Sequence, residues 1–298
     1  MSKKAKTLLL ISFAFLVVAI LIYVTRQHTL AVLDPQGEIA SKQRNLILLT
    51  AAMSLVIVIP VFAMTFYFAW QYRETNTKAR YQPDWDHSRV AETIWWAVPT
   101  IMILILAGIT WKSSHDLDPF RSISSNTRPI TVQVVALDWK WLFIYPEQQI
   151  ASVNYVQFPA KTPVRFVITS DAPMNSFWIP QLGGQIYAMS GMSTHLNLIA
   201  SNTGIYRGSS ANISGSGFAS MNFIAHSSSD SGFQSWVDSA RASDSKLTTA
   251  SYDQLALPSK HNAPKLYSYV DQHLYDTIVS KYMSPNANLS ATNIEAEQ

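Results

Sequence analysis

The sequence contains no cysteine in its 298 residues. This absence excludes disulfide bonds, thiolate sites for copper or zinc, a cysteine nucleophile and lipidation at a cysteine. Charge is also scarce, because Asp, Glu, Lys and Arg make up only 14% of the residues and the net charge is +3. The basic residues are scattered rather than clustered. The composition therefore removes thiol chemistry and gives no support to a nucleic-acid partner.

Apolar sequence is abundant near the N-terminus. Hydrophobic residues make up 48% of the chain, and the mean hydropathy of +0.08 is high for a water-soluble protein. The excess lies in three uncharged runs, at residues 8–24, 46–70 and 93–111. The second and third runs are long enough to span a bilayer. We therefore expect a two-helix membrane anchor over residues 31–114.

The first apolar run follows the basic residues 1–6, which is the pattern of a signal peptide. No clear small-x-small cleavage site follows it at residues 25–31. Residues 1–30 are therefore expected to be either a cleaved signal peptide or a retained signal-anchor helix. The loop between the two spans, at 71–92, contains four Lys and Arg residues, which favours the cytoplasmic side. Everything after residue 111 is then expected outside.

Short β-branched and aromatic runs separated by turn residues begin near residue 128. Their spacing predicts a β-sandwich rather than a βαβ sheet. Two stretches rich in turn residues, 170–184 and 208–223, are expected to be loops on one rim of that sandwich. Helical spacing follows at 232–240 and 267–283. The strands are predicted at residues 130–138, 139–145, 164–169, 194–199 and 221–226.

Several longer motifs occur in a fixed order along the chain. They are LDPQGEIA at 33–40, FAWQYR at 68–73, ETIWWAVP at 92–99, ALDWKWLFIYPEQ at 136–148, MNSFWIPQLGGQIYAMSGM at 174–192 and GSSANISGSGFASMNF at 208–223. From residue 33 to 283 the chain resembles subunit II of the haem–copper oxidases, in the cytochrome bo-type branch that oxidises ubiquinol. The resemblance implies a membrane-anchored α+β fold with a transmembrane helical hairpin, a cupredoxin-like β-sandwich and C-terminal helices. The implied segments are 1–30 for the signal or anchor, 31–114 for the hairpin, 115–230 for the sandwich, 231–284 for a helical extension and 285–298 for a disordered tail.

In members of this family that are fed by cytochrome c, one rim loop reads Cys-x-Glu-x-Cys-x3-His-x2-Met and binds two copper ions together with a further histidine. At the corresponding positions this chain has serine hydroxyls, asparagine amides, a phenyl ring and one thioether. These groups cannot replace the soft thiolate and imidazole ligands. The resemblance therefore implies a chain without copper or another metal, which does not receive electrons from cytochrome c. The same reasoning predicts no magnesium at Asn212, since an amide is a weaker ligand than a carboxylate. The corresponding positions are Asn175, Ser210, Asn212, Ser214, Phe218 and Met221.

Two further residues have counterparts in the family. Glu92 stands in the first turn of the second predicted span, where a carboxylate is stabilised by the helix dipole. The resemblance implies a second role for Glu92 at the cytoplasmic mouth of a proton channel whose lysine lies in the catalytic subunit. Trp139 matches the tryptophan that receives electrons in copper-bearing relatives. Without copper, we expect Trp139 to be a core residue.

The function implied by the resemblance is that of a non-redox subunit of a proton-translocating terminal ubiquinol oxidase. The haems and one copper are expected in the partner catalytic subunit I, and further oxidase subunits and membrane lipid are the other expected partners. The implied location is the bacterial inner membrane, with the large C-terminal domain on the periplasmic side. Close relatives commonly begin with a lipoprotein signal that ends in cysteine. Here the N-terminus is expected to be held by its own helix or left unmodified.

Two other functions compete with this interpretation. A membrane-tethered cupredoxin that binds copper is disfavoured because the cysteine and histidine ligands are missing. His195 and His226 are the only nearby imidazoles in predicted strands, where a histidine usually serves packing. A hydrolase is suggested only by the abundance of serine in the loops, and the sequence contains no GxSxG elbow.

Overall fold

The protein is described by a computed structural model that covers residue 16, residues 30–80 and residues 84–283. The predicted signal or anchor helix lies almost entirely outside the described residues, and the predicted disordered tail lies wholly outside them. The chain forms two compact units, Lys42–Arg121 and a second one made of Met1–Ser41 with Ser122–Gln298. The five segment limits given above stay predictions.

Two long helices, α1 at Glu38–Gln71 and α2 at Arg89–Asp116, account for the apolar runs. Their most apolar windows have mean hydropathies of 2.7 and 1.9, and no residue of these windows is buried inside the chain. Both helices are therefore long and apolar enough to cross a membrane. Each helix is longer than the predicted span, because polar residues at 38–45 continue α1 and those at 89–92 and 112–116 continue α2. The N-terminal end of α2 is capped by Ser88, whose hydroxyl accepts a hydrogen bond from the Ala91 amide at 3.4 Å.

The remaining chain forms a β-sandwich, as predicted. One sheet has six strands in the order β12-β3-β2-β1-β5-β8, and the other has five in the order β4-β10-β9-β6-β7. Strand β1 pairs antiparallel with β2 and parallel with β5. The strand bounds are β1 Ile130–Leu137, β2 Lys140–Tyr145, β3 Ile150–Val153, β4 Tyr155–Pro159, β5 Val164–Ser170, β6 Asn175–Trp178, β7 Ile186–Ala188, β8 Thr194–Leu198, β9 Gly204–Ser210, β10 Asn222–Ser228, β11 Lys246–Leu247, β12 Lys265–Tyr267 and β13 Tyr269–Val270.

Aromatic rings fill the space between the two sheets. The rings of Phe177 and Phe223 stack with centroids 5.1 Å apart, and Trp141 meets Phe177 edge-on at 5.4 Å. Because side chains alternate along a strand, β1 points Val134 into this core and Val135 to the opposite face. The six-stranded sheet therefore has a second apolar face, which must also be covered.

The C-terminal arm, residues 241–283, provides that cover. Its helices α4 at Thr249–Ala256 and α5 at Leu274–Ser280 contribute to a second apolar cluster on the sheet. Strand β12 of the arm pairs with β3 and so becomes the edge of the six-stranded sheet. The helix predicted at 232–240 is observed as α3, Asp230–Arg241. The prediction of one amphipathic helix over 267–283 was wrong, since the arm is helical there only over α5.

The segment before α1 packs on the sandwich and gives the LDPQGEIA motif a structural role. The Gln36 amide donates to the Gln181 carbonyl at 2.7 Å, and the Ala40 amide donates to the Leu182 carbonyl at 3.2 Å. Gly37 forms an isolated bridge with Ala200. A Cβ on Gly37 would lie 2.6 Å from the Ile199 carbonyl oxygen, so only glycine permits this close approach.

One predicted rim loop contains a strand that its composition concealed. Strand β6 lies inside 170–184, with Phe177 fully buried between the sheets. Pro173 and Pro180 flank this strand closely, which is why the stretch looked like continuous loop. The other predicted loop, 208–223, begins as the end of β9 and contains a 3₁₀ helix at Phe218–Ser220.

Candidate functional site

The two rim loops meet through the side chains of Asn175 and Ser210. Asn175 opens β6 and Ser210 closes β9, and both are buried. The Ser210 hydroxyl donates to the Asn175 carboxamide oxygen, and the Asn175 carboxamide nitrogen donates to the Pro173 carbonyl at 3.0 Å. A direct polar contact therefore joins the loops at two of the positions that the sequence resemblance predicts to correspond to copper ligands.

Asn212 and Met221 extend the same contact. The Asn212 side chain donates to the Met174 carbonyl at 2.8 Å, and the Ser210 amide donates to the Met221 carbonyl at 3.1 Å. The Met221 side chain is 1% exposed and belongs to the core between the sheets. Asn175, Ser210, Asn212 and Met221 are thus brought together by hydrogen bonds and packing.

Ser214 and Phe218 lie on the part of the loop next to Trp139. The Trp139 indole donates to the Ser214 carbonyl at 3.0 Å, and the Phe218 carbonyl accepts from the Met221 amide at 3.0 Å. Trp139 is half-buried and packs against the core between the sheets. It lies in a turn, with a φ of 62°, and not in the strand that was predicted over 139–145. The Lys260 ammonium lies 5.3 Å from the centre of the Trp139 ring.

The donor groups at the rim do not fit a copper ion. The Ser210 hydroxyl and the two asparagine side chains already make hydrogen bonds within the loops, and soft copper prefers thiolate and imidazole. Among residues 30–80 and 84–283, no group of three or more His, Cys, Asp or Glu side chains is arranged to hold a metal. We therefore derive no metal-dependent step at this site.

The two strand histidines lie in different sheets. His195 is on β8 of the six-stranded sheet, where burial and the nearby Arg165 lower the pKa of its imidazole. His226 is on β10 of the five-stranded sheet, and its Nδ1 lies 2.8 Å from the Tyr155 hydroxyl. The structure gives each imidazole a different environment and does not pair them.

Glu92 belongs to the other compact unit. It lies in the first turn of α2, and its amide donates to the Ser88 carbonyl at 2.9 Å. Its side chain is 59% exposed, and its Oε2 lies 3.7 Å from Nδ1 of His87. A carboxylate at this position is stabilised by the helix dipole.

Sequence reasoning missed two buried charged groups of the sandwich unit. Lys140 is 1% exposed, and its ammonium donates to the Leu257 carbonyl at 2.7 Å and the Ser259 hydroxyl at 2.6 Å. Burial lowers the pKa of Lys140. Asp171, at the start of the first rim loop, is also buried. No sequence pattern marked either residue, because their partners lie between 81 and 119 positions away, in the C-terminal arm.

Comparisons with known proteins agree with this architecture. A family model described as "Cytochrome C oxidase subunit II, periplasmic domain" matches residues 108–228, and one described as "COX Aromatic Rich Motif" matches 241–286. "Cytochrome bo(3) ubiquinol oxidase subunit 2" of Pseudomonas aeruginosa is 50% identical over 249 residues, covering 84% of this chain and 75% of the relative. The chain belongs to the ubiquinol oxidase subunit II family. This assignment confirms the resemblance that the motifs indicated.

Other relatives in the subunit II family are similar over the same length. "Ubiquinol oxidase subunit 2" of Acetobacter aceti is 48% identical over 255 residues, covering 85% of this chain and 83% of the relative. Among solved structures, the periplasmic domain of cytochrome oxidase subunit II of Bradyrhizobium japonicum is similar to part of this chain. The match covers 40% of this chain and 96% of that domain, with 21% sequence identity and a TM-score of 0.37. The elements described above and the matched family model together give two apolar helices, a cupredoxin-like sandwich and C-terminal helices. Membership of the family makes the chain a subunit of an oxidoreductase complex.

Proposed function

We propose that this chain is the non-redox subunit II of a proton-translocating terminal oxidase that oxidises ubiquinol and reduces oxygen to water. The observation that carries the proposal is the protein contact between the rim loops. Asn175 and Ser210 are hydrogen-bonded to each other and Met221 is packed into the core, where copper-bearing relatives have metal ligands. A subunit with these side chains has no group that accepts electrons from cytochrome c, so electrons must enter through another subunit.

The role left to this chain is assembly and cover of the catalytic subunit. The most apolar windows of α1 and α2 contain no residue that the described part of the chain buries, which supports packing against lipid and against other membrane subunits. In this proposal the partner subunit I contains the haems and one copper, and further oxidase subunits complete the complex. The chain lies in the bacterial inner membrane with its sandwich on the periplasmic side, and neither cytochrome c nor nucleic acid is a partner.

Glu92 is the residue that we assign to proton uptake. Its exposed carboxylate, with the His87 imidazole 3.7 Å away, can exchange protons with solvent and pass them to a water chain. The loop 71–92 that precedes it contains four basic residues, which supports a cytoplasmic position. Glu92 is then a proton-channel entrance on the side of the membrane from which protons are taken.

Purification of the chain from detergent-solubilised membranes tests the main proposal. We expect a visible spectrum with haem b plus haem o or haem a, copper in the amount of a single oxygen-site atom, and rapid oxygen consumption with a ubiquinol. Two additional copper ions in the complex would overturn the proposal. So would efficient oxidation of cytochrome c by a complex that ignores ubiquinol.

Substitution of Glu92 tests its role separately. Glu92→Gln keeps the size of the side chain but removes proton exchange, and we expect about a tenfold loss of oxygen consumption, equivalent to about 1.4 kcal/mol of barrier. Glu92→Asp should restore much of the activity. The matched control is Glu74→Gln, an exposed carboxylate in the same loop. Unchanged turnover of Glu92→Gln in the assembled complex would remove Glu92 from the proton path.

A further inference from the structure

The Asp171 carboxylate is buried at the point where β5 ends and the first rim loop begins. Its side chain is 1% exposed. One oxygen, Oδ1, accepts hydrogen bonds from the Lys281 ammonium at 2.9 Å and the Tyr282 hydroxyl at 2.5 Å. The other oxygen, Oδ2, accepts from the Tyr252 hydroxyl at 2.6 Å. Burying a carboxylate costs free energy unless charge and hydrogen bonds compensate it, so these three donors explain how it is tolerated.

All three donors come from the C-terminal arm, but from two separate parts of it. Tyr252 lies on α4, whereas Lys281 and Tyr282 follow α5. Burial, and secondarily the hydrogen bond to Asp171, raises the pKa of both phenols, so each remains a proton donor at neutral pH. A single carboxylate therefore ties both helical parts of the arm to the sandwich.

The rim loop that follows Asp171 also contacts the turn at Ser190 and Gly191, and this turn packs against Tyr282 of the arm. The Ser190 hydroxyl donates to the Ala172 carbonyl at 3.2 Å, and a Cβ on Gly191 would lie 3.2 Å from Cβ of Tyr282. Further along the loop, the Met174 carbonyl and the Asn175 side chain accept hydrogen bonds from the second rim loop. Contacts thus run without interruption from the arm, through residues 171–175, to the second rim loop.

We propose that Asp171 is the fastening point through which the C-terminal arm holds both rim loops in place. Copper-bearing relatives have a metal centre that cross-links these loops, and this chain has hydrogen bonds instead. Hydrogen bonds between loops are weaker cross-links than metal–ligand bonds. The arm adds a further anchor, because its two helical parts converge on Asp171 near the start of the first rim loop.

Hydrogen exchange measured by mass spectrometry on the purified oxidase complex tests this inference. Asp171→Asn removes the charge but keeps the shape, and Tyr282→Phe removes one donor only. For Asp171→Asn we expect about tenfold faster exchange at residues 274–283 and, as the distinctive result, also at 208–223. Tyr282→Phe should produce a smaller change in the same two regions.

Two matched controls separate this effect from general weakening. Asp276→Asn removes an exposed carboxylate of α5, and Tyr269→Phe removes an exposed phenol of the arm. Neither should change exchange in residues 208–223. If the Asp171→Asn complex does not assemble, the same measurement on Tyr282→Phe decides the question, because that variant retains the ion pair.

Two results would overturn the proposal. If the arm exchanges faster in Asp171→Asn while residues 208–223 do not, the arm is only a cover for the sheet. If neither region changes, the apolar contacts of the arm hold it without the carboxylate. The double variant Asp171→Asn with Lys281→Met checks whether the two side chains act as one contact. Residues 274–283 and 208–223 should exchange no faster in the double variant than in Asp171→Asn alone.

Discussion

At the scale of single residues, Trp139 shows how one side chain holds the second rim loop in place. Gly217 lies directly under its indole ring, and a Cβ there would be 2.2 Å from Cδ2 of Trp139. The indole also donates to the Ser214 carbonyl. The tryptophan therefore fixes the second rim loop by packing and one hydrogen bond.

The substitution Gly217→Ala tests this contact. Because the added methyl group overlaps the indole, either the ring or the loop must move, and overpacking of this kind costs about 1–3 kcal/mol. We expect a lower midpoint of thermal unfolding for the full chain in detergent. Ser216→Ala, in the same loop at an exposed position, is the control and should leave the midpoint unchanged. An equal midpoint for Gly217→Ala and the wild type would show that the ring is free to move.

Several buried tyrosines predict how stability responds to alkaline pH. Burial raises the pKa of Tyr275 to about 12 from an ordinary value of 10.0, against a smaller opposing effect of its hydrogen bond to Ser193. Burial also raises the pKa of Tyr252, Tyr267 and Tyr282 in the same arm. Between pH 10 and about pH 12, the unfolded chain releases phenolic protons that the folded chain keeps. The contribution of Tyr275 to the free energy of unfolding is therefore fully present below pH 10.0 and is lost as the pH rises through about 12.

We therefore expect the arm to unfold cooperatively within this alkaline window, with phenolate absorbance rising in step with the loss of structure. Tyr275→Phe should move the onset to higher pH, because a phenyl ring cannot ionise. Gradual titration of all tyrosines from pH 10, without loss of structure, would contradict the expectation.

At the scale of elements, the arm is held to the six-stranded sheet by an apolar cluster as well as by Asp171. Tyr252 of α4 and Ile278 of α5 pack in one cluster with Leu142 and Ile144 of β2. Both faces of β2 are buried, because Trp141 and Phe143 belong to the core between the sheets whereas Leu142 and Ile144 face the arm. This explains why residues 140–145 are apolar without strict alternation, apart from the buried Lys140.

Substitution of a buried side chain of α5 measures the strength of this packing. Ile278 is 2% exposed, and Ile278→Ala leaves a cavity, so we expect a loss of about 2–4 kcal/mol in the free energy of unfolding. Leu257→Ala, at a position that is 57% exposed in the same arm, should cost less than about 0.5 kcal/mol. Denaturant unfolding of the full chain gives both values. A similar loss in the two variants would mean that the arm does not depend on this cluster.

At the scale of the whole molecule, the chain combines an apolar two-helix unit with a sandwich unit whose predicted ligand positions hold Asn, Ser, Phe and Met. Two side-chain contacts engage these positions, Asn175 with Ser210 and Asn212 with Met174, whereas the buried Ser214 hydroxyl has no hydrogen-bond partner among the described residues. The donor atoms at these positions include no thiolate and no imidazole. This is the property on which the proposed function rests.

Copper titration of the purified chain tests that property directly. We expect no retained copper after dialysis and no rise in the midpoint of thermal unfolding, since a ligand that binds only the folded state must stabilise it. One copper retained per chain, together with a higher midpoint, would instead favour a copper-binding cupredoxin.

Part of this description was accessible from the sequence because it depends on local chemistry. Uncharged runs of sufficient length predict α1 and α2 whatever surrounds them. The identity of Phe218 or Ser210 rules out a copper ligand without any coordinates, because a phenyl ring has no lone pair and a serine hydroxyl is not anionic at neutral pH. Short β-branched and aromatic runs, spaced by turn residues, likewise predicted the β-sandwich. The motif order was sufficient to indicate the family.

Only the tertiary structure decided which distant groups meet. Asp171 and Lys281 are 110 positions apart, and neither lies in a pattern that indicates the other. The same holds for β12, which joins β3 at the sheet edge, and for Gly217 under Trp139. The physical reason is that secondary structure follows periodicity along the chain, whereas a buried ion pair or a close contact depends on the final packing of the whole sandwich.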